Sequence, residues 1–199
     1  PYGRAPELRE IAERGVVCDP LSFNAWRWLS LSLIWDGEFD AAADAAQQGL
    51  EISPHIRISQ QLFFAHLAAG RFDEAEQVIS RYVRGESPAL ALRQALAAAT
   101  GDAEGARAFA TRVRDIGQQT NTGIIPAFAR MGDREEANRR AAEVDAHPFG
   151  HLRLMLVPGA CFCGAPWDLE VTPNFARLLE DADLPWPPAS PFNWPLKDW

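Results

Sequence analysis

Lysine is almost absent from this chain. Of its 19 lysines and arginines one, Lys197, is lysine, so nearly every positive charge is a planar guanidinium. Cations are also outnumbered, because 27 acids bring the formal net charge to −8. Short basic runs such as Arg139–Arg140 read as solvated helix faces, and the balance argues against a nucleic-acid surface, which needs clustered cations. Cysteine is scarce and odd in number. Cys18, Cys161 and Cys163 make no disulfide framework and point to a reducing, cytoplasmic setting. The apolar runs fall far short of the roughly 20 residues a membrane helix needs, so no membrane partner is expected. The opening residues carry no secretory-leader pattern, and Pro1 in place of Met points to a trimmed or excised start.

Motifs of catalysis are missing as well. There is no G-x-S-x-G, no phosphate-binding P-loop and no G-x-G-x-x-G, so neither an enzyme nor a cofactor is expected. Acidic pairs such as Glu135–Glu136 fall at helix starts, where the helix dipole accounts for them. His55 and His66 read as surface or packing residues. His147, His151, Cys161 and Cys163 suggest zinc by residue type, but Pro148 and Gly150 separate the histidines and C-F-C is not the usual C-x₂-C, so no metal is expected. The two cysteines fall near the end of an apolar helix, where a free thiol is ordinarily core.

What is present is a sentence written more than once. W-D-G-E-F-D-A-A runs from Trp35 to Ala42, and A-A-G-R-F-D-E-A from Ala68 to Ala75. G-D-A-E-G-A at Gly101–Ala106 and G-D-R-E-E-A at Gly132–Ala137 share the frame, and G-A-P-W-D-L at Gly164–Leu169 is a degenerate copy. The leading glycines fall at 37, 70, 101, 132 and 164, steps of 33, 31, 31 and 32. A period between about 20 and 50 residues signals a solenoid. Each unit also has a physical reading. An apolar segment at helical spacing, such as Trp26, Leu29, Leu33 and Ile34, precedes the glycine. The glycine supplies the left-handed turn that ends a helix. Asp40 or Asp73 is expected to cap the next helix. Ala42, Ala75, Ala106 and Ala137 are small where two helices would cross. A second amphipathic segment follows, over Ala41–Ile52 or Glu74–Val83, and is expected to end at Pro54, Pro88 or Pro148.

This pattern resembles the tetratricopeptide repeat, a helix–turn–helix unit of about 34 residues. The unit Phe23–Pro54 carries the family positions Trp26, Leu29, Gly37, Phe39, Ala42 and Pro54. The resemblance implies an all-α, right-handed superhelix over 1–184. Its expected pieces are a partial unit at 4–20, units near 23–54, 56–88, 89–118 and 119–148, and a degenerate one at 149–183. An ordered Pro/Trp-rich tail is expected over 185–199. Departures are visible. Where the family prefers a small residue, the chain has Ser30, then Phe63, Gln94 and Ile125, and Phe63 would hold its helices apart or turn outwards. Gly123 and Pro126 would shorten or kink a first helix. The segment Arg4–Pro20, with an apolar stripe of Leu8, Ile11 and Ala12, looks like a second helix lacking its first. Either something once lay upstream or it is a lone capping helix.

At the other end, Thr172–Ala182 reads as a last helix, with Thr172 as cap and Pro173 at its first position. Phe175, Leu178 and Leu179 would dock on the preceding pair. Proline-rich Leu184–Trp199 is expected to be extended but ordered, since it carries Trp186, Trp194 and Trp199. Trp186 and Trp194 would anchor it, either in the groove or on the outer or end surface. Cys163–Phe175, with the tail, also resembles the C-terminal ends of such repeat regions in bacterial regulatory proteins. Those regions commonly follow a nucleotide-cyclase or winged-helix domain, and neither lies within these 199 residues.

The family's first helices line a concave groove. Carrying its positions over gives Asn24, Arg27, Leu31 and Ile34 in the first unit. Arg57, Gln60, Phe64 and Leu67 follow in the second, then Ala91, Ala95 and Ala98, with Gln94 nearby. The family's Lys/Asn/Arg set for a terminal carboxylate is not carried. The expected function is non-catalytic: an interaction module taking an extended peptide or partner protein in the groove. The alternative is the sensory or regulatory segment of a larger bacterial signalling or transcription protein. A homodimer through the tail or the open repeat end is a further expectation.

Overall fold

The recurring glycines are where helices stop. Gly37, Gly70, Gly101 and Gly132 have φ of 78°, 72°, 79° and 75°, the left-handed region that a side chain disfavours. Each closes the same turn. The Gly37 amide donates to the Ile34 carbonyl and the Glu38 amide to the Leu33 carbonyl, satisfying two of the carbonyls a helix end leaves open. The same two bonds recur at Gly70–Arg71, Gly101–Asp102 and Gly132–Asp133.

The computed structural model describes residues 5–115, 124–155 and 165–187. Its helices are α1 (Ala5–Cys18), α2 (Phe23–Trp35), α3 (Phe39–Ile52), α4 (Ile56–Ala68), α5 (Phe72–Tyr82), α6 (Glu86–Ala99) and α7 (Ala103–Asp115). They are followed by α8 (Ile124–Arg130), α9 (Arg134–Asp145), α10 (Gly150–Leu154), a 3₁₀ turn at Leu169–Val171 and α11 (Pro173–Asp181). The fold is all-helical, with no strand among the described residues. Among them no helix is long and apolar enough to cross a membrane. The described residues divide into two compact units, one up to Leu96 and one from Ala97 onward.

In the first unit each of the first four helices packs on the next, and α2 also packs on α4. Ala42 and Ala75 are fully buried, as expected of small residues at a close crossing. Ser30, also fully buried, donates its hydroxyl to the Ala42 carbonyl at 2.8 Å and so ties α2 to α3. At Gly49 an added Cβ would lie 2.9 Å from Ile58 and 3.1 Å from Trp26, so α3 approaches both closely. Arg9 of α1 reaches the turn between α2 and α3, at 2.9 Å from Asp36 and 2.5 Å from Glu38. Arg93 of α6 meets Glu76 of α5 at 3.3 Å.

Several expectations are corrected. Asp40 and Asp73 do not cap. α3 and α5 begin two residues earlier than such a cap requires, at Phe39 and Phe72, leaving each aspartate in the first turn, where its charge still suits the dipole. In the later copies the aspartate follows the glycine directly and does cap, with Asp102 accepting from the Gly105 amide and Asp133 from the Glu136 amide. Pro88 does not close the unit expected at 56–88: α5 ends at Tyr82, and Pro88 lies in the first turn of α6, where a missing N–H is harmless. Phe63 does not turn outwards but is fully buried, edge-on to Phe64 with centroids 5.2 Å apart. In the α1 stripe Ala12 is buried while Ile11 is 58% exposed.

In the second unit α8 packs on α7 and α9. α8 is seven residues long with buried Pro126 in its first turn, the shortening that proline implied. Ala106 and Ala137 are fully buried. Thr172 stands at the N-cap of α11 with Pro173 first in the helix, as expected, but its hydroxyl makes no capping bond. Its hydroxyl accepts from the Trp167 indole N–H and donates to the Leu169 carbonyl. The cap comes from α9: the buried Asp145 carboxylate accepts from the Asn174 and Phe175 amides, both at 2.9 Å. Asp168 is held by Arg134 at 2.8 Å and Asn138 at 2.6 Å, which lowers its pKa, Arg134 contributing most. Phe175 and Leu179 are buried, and Leu178 is half-buried.

Candidate binding face

The elements that build a candidate face are α2 and α4, aligned at their starts. Ser22 caps α2, its hydroxyl accepting from the Ala25 amide at 3.4 Å. His55 caps α4 through Nδ1, which accepts from the Arg57 amide at 3.2 Å. The Phe23 and His55 rings lie 4.9 Å apart, so the two helix starts are in contact. Asn24 and Arg27 are three apart on α2, and Arg57 and Gln60 three apart on α4, so each pair shares a helix face.

Arg27 is half-buried with its guanidinium 4.2 Å above the Trp28 ring. Its Nε is buried with no hydrogen-bond partner. Burial, and after it the charge of Arg57, lowers the Arg27 pKa. Two guanidiniums therefore face each other's field across α2 and α4. Asn24 and Arg57 are exposed, and Gln60 is half-buried.

Not every expected groove residue reaches the surface. Leu31 and Phe64 are buried, and Ile34 and Leu67 fully so, which makes them floor beneath the polar set. Gln94 on α6 is buried at 1% exposure, and Ala95 likewise, while Ala91 and Ala98 are half-buried. Sequence reasoning passed over two residues. Trp28 is 42% exposed beside Arg27, and its signal was adjacency to that arginine. Gln61, four residues after Arg57 and so on the same side of α4, is buried with Oε1 unpartnered.

The tail residues are placed only in part. Trp186 packs 4.8 Å from Trp167 and 5.3 Å from Phe175, within the second unit and beside α11. Trp194 and Trp199 lie outside the described residues, as do Cys161 and Cys163. Cys18 is a free, exposed thiol. No cluster of three or more metal-ligating side chains occurs among the described residues.

No family model matches the chain, and no curated protein matches it.

Proposed function

We propose that the chain is a non-catalytic interaction module built as a tetratricopeptide-like solenoid, which takes an extended peptide or a partner protein's segment on the α2–α4 face. Four identical glycine turns at steps of 31 to 33 residues, each followed by a fully buried alanine, support the repeat reading. Contact between α2 and α4, each the first helix of its hairpin, supports a shared face. The observation that carries the binding reading is Arg27: a half-buried guanidinium with an unpartnered Nε, stacked on an exposed tryptophan. Such a group is costly to a folded chain that does not use it.

The test is affinity capture with the full chain as bait in an extract of the cells that make it. A partner should be captured, lost with Arg27→Glu or Arg57→Glu, and kept with Gln48→Glu, an exposed site on α3. Capture indifferent to the two arginine changes would refute the α2–α4 face.

A further inference from the structure

The arrangement of charge at this face goes further than the presence of a face. Elsewhere in the same chain, arginines held against the fold have carboxylates. Arg9 meets Asp36 and Glu38, Arg71 meets Asp40, and Arg134 meets Asp168. Arg140, itself buried, meets Glu136 and Glu143. Arg27 and Arg57 have none among the described residues, although 27 acids are available to a chain with net charge −8. They are near enough that Arg57 disfavours the charge on Arg27, which burial already disfavours.

A desolvated cation beside a second cation is unfavourable in the free chain. Anionic groups seated at the two guanidiniums offset both penalties, and a planar guanidinium presents paired donors to a carboxylate. The remaining features suit a peptide rather than a lone ion. Gln61 Oε1 is a buried acceptor without a donor, one turn along α4 from Arg57. Trp28 offers an exposed ring beside Arg27.

Resting on the binding reading above, we infer that the segment taken by this face is acidic, with glutamate or aspartate carboxylates seated at Arg27 and Arg57. The chain's overall negative charge repels such a segment, so attraction comes from this local pair. At about 0.15 M salt the Debye length is about 8 Å, which screens the distant charges more than the close, partly buried ones.

A binding arginine and a structural one respond differently to removal. A structural arginine destabilises the fold when removed. Arg27→Gln should leave the unfolding midpoint of the full chain unchanged or raise it, while weakening ligand binding. The probe is a fluorescein-labelled octaglutamate peptide, followed by anisotropy at about 0.15 M salt, with octaglutamine as the neutral control. Octaglutamate should bind at least about tenfold more tightly than octaglutamine, a difference of about 1.4 kcal/mol. Arg27→Gln and Arg57→Gln should each remove most of that difference, and added salt should erode it.

Equal binding of the two peptides, lost in both cases with Trp28→Ala, would overturn the acidic preference and leave the peptide-binding face standing. Octaglutamate binding that survives both arginine changes would overturn the assignment to this pair. Absence of binding by either peptide would overturn the acidic inference, and the capture experiment alone would then decide the face. A lowered unfolding midpoint in Arg27→Gln with unchanged peptide binding would mark Arg27 as structural.

Discussion

The Asp145 carboxylate accepts the backbone amide of Phe175 at 2.9 Å, 30 residues further along the chain. Its other oxygen takes the Asn174 amide, so one side chain at the end of α9 caps the start of α11. Asp145 is 2% exposed, and water cannot readily replace it. Asp145→Ala should therefore cost about 2–3 kcal/mol, the range for charge-assisted bonds whose buried partners are left unpaired. Denaturant titration read by tryptophan emission tests this, because Trp167 lies 5.5 Å from Phe175.

Asp183 ends α11 with the same two bonds that close the glycine turns, its amide to Glu180 and the Leu184 amide to Leu179, but at φ 50° with a side chain. The left-handed conformation costs a residue with a Cβ about 1–2 kcal/mol, and a carboxylate at a helix C-terminus opposes the dipole. Asp183→Gly should stabilise the chain by about 1 kcal/mol after the entropy of glycine is offset. A lower unfolding midpoint would contradict this account of the turn.

Gly150 is the opposite case. A Cβ there would lie 1.7 Å from the Val144 carbonyl oxygen, a backbone atom with little freedom to withdraw. Phe149 just before it adopts φ 62°, as the chain folds back tightly onto α9. Gly150→Ala should destabilise by about 3 kcal/mol or force the turn to rearrange. Loss of amide-exchange protection around Val144 would be the local sign.

His66 sets a pH dependence. Its pKa is lowered from 6.5, first by burial and then by Arg71, with Glu74 and Asp40 acting the other way. Its Nδ1 is buried without a partner. A depressed histidine is less readily protonated in the folded chain than in the unfolded one, so acid favours unfolding. Its contribution is present above pH 6.5 and is lost as pH falls below that value. His66→Gln should flatten the fall in stability below about pH 6.5 relative to the parent chain. Parallel profiles for the two would remove His66 as the cause.

Local chemistry explains what was legible in the sequence. The glycine that ends a helix, the alanine at a crossing and the proline that shortens α8 act within one or two turns of chain, so their spacing announced them. Errors arose where a partner is remote or a choice is degenerate. Thr172 had the right residue type for a cap, but a buried indole N–H took its hydroxyl and Asp145 took its place. Asp40 and Asp73 sit two residues past the cap because phenylalanine opens those helices. The face was legible as helix positions but not as exposure. Leu31, Phe64 and Gln94 share its periodicity with Arg27 and Arg57, and only packing decides which are covered.

The glycine turns bear on how the chain comes to be folded. Each closes over six consecutive residues, and from α1 to α5 every helix packs on the one just made. Loops this short close in well under a microsecond and helices form within about a microsecond, whereas ribosomes add about 5–20 residues per second. A hairpin such as α2–α3 can close as it emerges, before the next hairpin has followed it out. At any moment the apolar surface awaiting cover is confined to the newest hairpin, which limits what a nascent chain exposes to its neighbours.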